Sequence, residues 1–294
     1  MNNLLITGAS GFLGHALCRH AVLSGAWKVF GLYGKHPFAM DGVDAIQADI
    51  GDVRAVRNVF SRVRPDAVIH CAAISQPNEC EKNPALSHSV NVGAACAIAG
   101  LCAERRCACV FTSTDQVFDG EHAPYDENAA VAPLHHYGRQ KAEAERRMRE
   151  LYPATTICRL PLMFGPPSPS SHGFFQSFIA ALKMGDRIRL FTDEIRTPAF
   201  SECVARGIFL SLRYPAAVLH LGGRERLSRY EFGLLMCEAF GLNKNLIVPS
   251  LRADVPLPAP RPRDLSLDST RAYALGYNPC HIREALERFK NVQT

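Results

Sequence analysis

Apolar residues fall into short unbroken runs separated by stretches of helical period. Asn3-Leu4-Leu5-Ile6-Thr7 has the length and character of a strand buried on both faces. It leads into Gly8-Ala9-Ser10-Gly11-Phe12-Leu13-Gly14 and then into a helical pattern reaching Leu23. Runs at 28–32, 45–48, 67–70, 109–112 and 155–160 predict five more strands. Helices are expected between them at about 53–63 and 85–104, and from Tyr137, where residues 142–148 are strong helix formers. This alternation with short connections predicts an α/β fold with a Rossmann-type doubly wound parallel sheet.

After Gly165 the texture changes. Pro166-Pro167-Ser168-Pro169-Ser170-Ser171 reads as an exposed loop. Beyond it the pattern predicts a helix at 174–184, a strand at 188–191 and an extended segment at Arg196-Thr197-Pro198. A helix at 203–212, a buried strand at 218–221 and an amphipathic helix at 230–240 follow. A proline-rich extended loop at 255–263 and a last helix at 282–290 end the chain. The expected division is a dinucleotide-binding domain at 1–160 and a smaller substrate-binding lobe at 161–294. One or more strands from about 195–222 are expected to return to the main sheet.

Composition changes this picture little. The 294 residues are 47% hydrophobic and 21% charged, ordinary for a globular protein. The net charge of +5 is scattered, without the basic stripe that nucleic acid would need. The 11 cysteines include no CxxC pair and several sit in apolar segments, which points to free thiols in a reducing compartment and not to zinc. The N-terminus has no signal-like region, and the apolar stretch at 90–103 is too short to span a bilayer. The expectation is a cytoplasmic chain without a membrane partner, and nothing in the sequence opposes a homodimer.

The candidate chemistry begins at the glycine turn. Strand, glycine turn and helix in that order suit a pyrophosphate, because the glycines allow close backbone approach and the helix N-terminus offers free N–H groups. An NAD site would end the second strand with a carboxylate, whereas here Tyr33-Gly34-Lys35-His36 follow, with none before Asp41. A cation there suits a 2′-phosphate, so NADP(H) is favoured, with NAD(H) admitted. The third strand ends at Asp49-Ile50. The fourth opens into Cys71-Ala72-Ala73, small enough for a ligand to lie flat. Asn91 falls on the long helix, as a solvated polar residue or part of a site.

The fifth strand delivers Ser113-Thr114-Asp115 to its carboxyl end, where ligands bind in open α/β sheets, although the same residues also serve plain turns. Tyr137 and Lys141 stand four apart and share a helix face. A phenol titrates near 10, and an adjacent ammonium would pull that toward the working range. His135 and His136 read as loop residues. There is no GxSxG elbow to suggest a serine hydrolase.

Taken in order, these motifs resemble the extended short-chain dehydrogenase/reductases, nearest the dTDP-4-dehydrorhamnose reductase group. The resemblance also rests on Val117-Phe118-Asp119-Gly120, Arg159-Leu160-Pro161, Phe164-Gly165, His220-Leu221-Gly222-Gly223 and Arg261-Pro262-Arg263-Asp264. It implies hydride transfer to a nucleotide-sugar ketone, with Tyr137 as general acid and Lys141 holding the nicotinamide ribose. Thr114, and less directly Ser113, would polarise the carbonyl, and Asn91 would belong to the active-site scaffold. The cofactor would lie against Gly8, Ser10, Gly11, Phe12, Leu13, Gly14, Tyr33, Lys35, Asp49, Ile50, Cys71, Ala72, Ala73 and Pro161. Asp115 and Gln116 would face substrate, although the family often has an aromatic residue where Gln116 stands. Arg196, Arg261 and Arg263 are candidates for a diphosphate grip, because guanidinium forks match phosphate oxygens; surface solvation is their other reading. The regulatory β subunit of methionine adenosyltransferase resembles the same group, so a non-catalytic NADP-binding subunit is an alternative. A nucleotide-sugar epimerase or dehydratase is a third.

Overall fold

The computed structural model describes residues 1–170 and 173–293. Ser171, the end of the expected Pro/Ser loop, and Thr294, the end of the expected lobe, lie outside the described residues. Strand β1 (Asn2–Thr7) turns through the glycines into α1 (Phe12–Ser24), followed by β2 (Trp27–Tyr33) and β3 (Val43–Gln47). Helix α2 (Val53–Val63) is capped by Asp52, whose carboxylate accepts from the Arg54 and Ala55 amides, and leads to β4 (Ala67–His70). Then come α3 (Pro77–Lys82), α4 (Pro84–His88), α5 (Ala94–Arg105), β5 (Ala108–Thr114), α6 (His136–Leu151) and β6 (Thr156–Leu160). The remainder holds β7 (Met163–Phe164), α7 (Phe174–Lys183), β8 (Ile188–Phe191), β9 (Ile195–Arg196), β10 (Ala199–Phe200) and α8 (Ser201–Ser211). It closes with β11 (Val218–His220), β12 (Leu227–Ser228), α9 (Arg229–Phe240), β13 (Ile247–Ser250), α10 (Thr270–Ala274) and α11 (Ile282–Gln293).

Seven parallel strands form the central sheet in the order β11-β6-β5-β4-β1-β2-β3. The chain winds outward from β1 through β2 to β3, then returns to β4 on the other side of β1. That reversal opens a crevice at the carboxyl ends of β1 and β4, where open α/β sheets bind ligands. Successive residues of β1 feed opposite layers. Leu4 and Ile6 join the core toward α1 and α8, and Leu5 joins the core toward α2, α5 and α6. Each is fully buried and so contributes about 1.5–3 kcal/mol of transfer free energy.

From the 195–222 stretch one strand, Val218–His220, enters the main sheet, while β9 and β10 pair with β12 and β7. Other expectations change. Strand β5 runs through Thr114, so Ser113 and Thr114 are strand residues and not the first turn beyond it. Helix α9 is not amphipathic. Phe232, Gly233, Met236 and Cys237 are buried, and Tyr230, Leu234, Leu235 and Ala239 are partly buried around it, because β8, β13 and α11 cover several sides.

The apolar helical stretch is longer than expected. It runs unbroken from Pro84 to Arg105, 22 residues, long and apolar enough to cross a membrane by length and composition. Half of its most apolar window is buried inside the fold, and α5 packs on α2 and α6. The Pro/Ser loop is not simply exposed either: Ser168 is buried, and the Ser168 and Ser170 hydroxyls both donate to the Ser10 carbonyl, at 2.8 and 2.6 Å.

Candidate active site

The glycine turn is required by contact. Gly8 has φ 72°, and a Cβ there would lie 2.8 Å from the Ala72 backbone. A Cβ on Gly14 would lie 2.0 Å from the Gly8 carbonyl oxygen. Only glycine therefore lets α1 start this close to the ends of β1 and β4. Gly11 caps α1 without a side-chain hydrogen bond, so the first amides of a 13-residue helix face the crevice. Leu13 is buried beneath the turn and Phe12 is half-buried.

The crevice floor is knitted by Thr7, whose hydroxyl lies 2.7 Å from His70 Nδ1 and accepts from the Ala72 amide at 3.3 Å. Cys71 Sγ donates to the Thr7 carbonyl at 2.7 Å, and Cys71, Ala72 and Ala73 are all half-buried. On the far side, Tyr33 ends β2 half-buried beside Phe38, and Lys35 is exposed with no carboxylate close to it in sequence. Asp49 is exposed and its Oδ1 accepts from the Gly51 amide, and Ile50 is half-buried.

Asn91 is not on a solvated face. Residues Ser89–Gly93 form a π-helical turn between α4 and α5, which rotates Asn91 inward until it is buried. Its Oδ1 accepts from the Ile74 amide at 2.9 Å, and its Nδ2 donates to the Ile74 carbonyl at 3.0 Å and to Gln140 Oε1 at 2.9 Å. It thus ties the loop after β4 to α6, the helix that carries Tyr137 and Lys141. Gln140 donates onward to the Ser87 hydroxyl at 2.8 Å.

Helix α6 starts where it does because His135 caps it. The His135 Nδ1 accepts from the Gly138 amide at 3.1 Å, and its ring stacks with that of Tyr137 at 6.3 Å. So His135 is a capping residue, with its imidazole pushed by burial down to about 4, and not an idle loop residue. A Cβ on Gly138 would lie 2.1 Å from the Gln116 carbonyl oxygen, so this glycine lets α6 pass close against the segment after β5. Replacing Gly138 with Ala is expected to displace Tyr137 and cost about 10²-fold in turnover. Unchanged steady-state kinetics of the G138A protein would contradict that reading.

Tyr137 and Lys141 are both almost fully buried. The expectation that Lys141 lowers the phenol is not met. Burial raises Tyr137 above the usual phenol range, the Asp115 charge and Cys80 add to this, and the Thr114 hydroxyl beside it works in the opposite sense. Lys141 is itself desolvated, which pulls its ammonium down to about 7 against the opposing charges of Glu145 and Cys71. Its Nζ lies 3.9 Å from the Phe111 ring centroid, a cation–π contact in a dry setting. Burial is the largest cause of the shift for both groups.

Beside the phenol, the Thr114 hydroxyl donates to Asp115 Oδ1 at 3.1 Å, and the Ser113 hydroxyl is buried without a hydrogen-bond partner. Asp115 is pushed by burial up to about 6, with Arg196 opposing. Gln116 is half-buried, its amide bonded to the Thr114 hydroxyl at 3.2 Å. Pro161 is buried at the end of β6.

The three sequence-selected arginines separate. Arg196 is buried, with Nε 3.6 Å from Asp115 Oδ2 and Nη2 3.4 Å from Glu194 Oε1, so its fork is already engaged and does not face open space. Arg263 is exposed. Arg261 lines a cavity of about 180 Å³ with Phe178, Arg189, Leu190, Phe191, Glu194 and Arg229. The Arg229 guanidinium is desolvated and pushed down to about 10, with Arg196 and Arg261 adding to the shift and Glu194 opposing it. No sequence signal marks Arg229, which opens the apolar helix α9 and belongs to no motif. The cavity lies at the far end of the Asp115–Arg196–Glu194 chain and not over Tyr137. Among the described residues no group of His, Cys, Asp and Glu is arranged to hold a metal ion.

A family model described as the RmlD substrate binding domain matches residues 1–294. The chain is 34% identical over 267 residues to a probable low-salt glycan biosynthesis reductase of Haloferax volcanii, covering 90% of this chain and 88% of that one. It is 27% identical to the methionine adenosyltransferase 2 subunit beta of Danio rerio, over 93% of this chain and 84% of that one. A solved dTDP-4-dehydrorhamnose reductase of Clostridium acetobutylicum superposes with a TM-score of 0.84 at 26% identity, covering 99% of both chains.

Proposed function

The chain belongs to the RmlD substrate-binding domain family, and on that premise we propose that it is an NADP(H)-preferring reductase of a nucleotide-activated 4-keto-6-deoxy sugar. The observations that support this reading are the Thr114 hydroxyl beside the buried Tyr137 phenol, and Lys141 beside Cys71 at a glycine turn whose Gly8 and Gly14 leave no room for a Cβ. That cradle fits a dinucleotide. Gly8, Ser10, Gly11 and Gly14 would take the pyrophosphate, Tyr33 and Lys35 the adenosine ribose end, and Asp49 and Ile50 the adenine side. Cys71, Ala72, Ala73 and Pro161 would line the nicotinamide half. Bound there, NADPH supplies the hydride; NAD(H) fits the same cradle with less use of Lys35. Residues 1–160 would hold the cofactor and 161–294 the sugar nucleotide.

In this reading Tyr137 acts as the general acid. Burial keeps its phenol protonated through neutral pH, so it can donate from Oη to the carbonyl oxygen as negative charge develops there. The Thr114 hydroxyl sits within reach of the same oxygen, and Ser113, whose hydroxyl has no partner, is the second donor. Lys141 places a cation under the ribose and the phenol and, through them, holds the proton donor in line. Asn91 and Gln140 act by position, fixing the start of α6 against the loop after β4. Asp115 and Gln116 face the sugar.

The diphosphate would lie against the cavity formed by Arg261, Arg229 and Arg189, and Arg196 would contribute through the carboxylates it orders. Losing one charged hydrogen bond to phosphate weakens binding by about 10- to 100-fold. Arg261→Ala is therefore expected to raise the KM for the nucleotide-sugar on that scale with little change in kcat, whereas Arg263→Ala leaves KM unchanged. Equal effects at the two positions would remove the cavity from the substrate path.

Similarity to a methionine adenosyltransferase β subunit favours one other reading, a cofactor-binding subunit without turnover. Oxidation of NADPH that depends on a nucleotide-4-keto-sugar tests the two against each other.

A further inference from the structure

Away from the cofactor crevice, α8 and the segment before α11 bring two thiols together. We propose that Cys203 and Cys280 form a reversible disulfide when the protein meets a peroxide, a modification site that ties α8 to α11. Their sulfurs stand 3.3 Å apart although the residues are 77 positions apart in the chain. A disulfide needs about 2.05 Å between sulfurs, so side-chain rotation of little more than an ångström closes the gap. Cys203 lies in the first turn of α8 and is fully buried, whereas Cys280 is half-buried and within reach of solvent.

The surroundings suit an attacking sulfur. Cys203 Sγ accepts from Arg206 Nη2 at 3.1 Å and from the Cys280 amide at 3.3 Å, two donors that favour the thiolate. Burial works against them and raises Cys203 in the resting protein. Oxidation therefore starts at Cys280. Its thiol takes oxygen from the peroxide, giving a sulfenic acid and, from hydrogen peroxide, one water. Cys203 Sγ then attacks Cys280 Sγ, the S–O bond breaks, and hydroxide leaves as a second water with the proton from Cys203. Two thiols are oxidised by two electrons and one peroxide is reduced.

The bond would join elements that already bridge the two halves of the fold. Helix α8 packs on α1, where Arg19 pairs with Glu202, and α11 packs on α9 in the aromatic core built on Phe175, Phe232 and Phe289. Closing a loop of this length restricts the unfolded chain and is expected to raise Tm by roughly 5–8 °C.

The test treats the full-length protein with hydrogen peroxide, alkylates the remaining thiols, and maps disulfide-linked peptides by mass spectrometry. The expected result is a Cys203–Cys280 linked peptide, reversed by dithiothreitol, with the rise in Tm present in wild type and absent in Cys280→Ser. Recovery of both residues as alkylated thiols would overturn the proposal. So would a sulfinic acid on Cys280 with Cys203 still free, or linkage confined to Cys102, Cys107 and Cys109. Because Cys203 is buried, the partly exposed Cys280→Ser is the primary variant, and the wild-type map stands without either.

Discussion

Replacing Tyr137 with Phe is expected to lower kcat by about 10²–10⁴-fold, the range that a positioned general acid supplies. The substitution removes one oxygen from a side chain that is 7% exposed and leaves the ring stacked on His135, so fold and NADPH binding should persist. Steady-state turnover and a fluorescence titration of NADPH, run on the same preparation, separate the two effects. A Y137F protein that keeps wild-type turnover would require another proton donor. Burial places the phenol above its usual range, so the proton is present throughout neutral pH, and the alkaline limit on activity must come from elsewhere.

That limit is expected from Lys141, and Glu145 controls it. In the free protein the ammonium titrates at about 7, so its charge is present below that pH and lost as pH rises through it. The profile of kcat/KM, which reports the free enzyme, should fall above about 7. Glu145 is the largest charge opposing the shift, so Glu145→Gln should move the falling limb to lower pH. The groups facing Lys141 from the sheet side are His70 at the end of β4, Cys71 just after it, and Phe111 on β5.

The same substitution has a large structural cost. Glu145 accepts from Arg159 Nε at 3.1 Å and Nη2 at 2.8 Å, both side chains are under a tenth exposed, and Arg159 Nη1 lies 3.3 Å from His220. Breaking a buried pair of this kind leaves a guanidinium without its counter-charge and costs about 3–5 kcal/mol. Urea denaturation of E145Q measures the loss; a change below about 1 kcal/mol would mean the pair is solvated like a surface bridge. In wild type Lys141 also makes stability depend on pH. Between its folded value of about 7 and the unfolded value near 10.4, the unfolded chain holds a proton that the folded one lacks, so that group's share of stability rises with pH.

Much of this site is legible in the sequence, for identifiable reasons. Buried parallel strands are unbroken apolar runs, so β1, β4 and β6 stand out, and a glycine turn between strand and helix names its own location. The i, i+4 spacing puts Tyr137 and Lys141 on one face whatever surrounds them. What surrounds them is not local. The pair-charge argument predicted a lowered phenol, whereas burial by elements distant in sequence decides both groups. Asn91 turns inward because of a π turn that no residue pattern announces. Arg196 is drawn to Asp115 and Glu194, and Cys203 meets Cys280 across 77 positions, both through tertiary contact alone.

The most direct test is the oxidation of NADPH by the wild-type protein offered a panel of nucleotide-activated 4-keto-6-deoxy sugars, with cofactor affinity measured in parallel. The account predicts turnover on at least one of them, faster with NADPH than with NADH. Tight NADPH binding with no turnover on any member of the panel would contradict it and favour a cofactor-binding subunit.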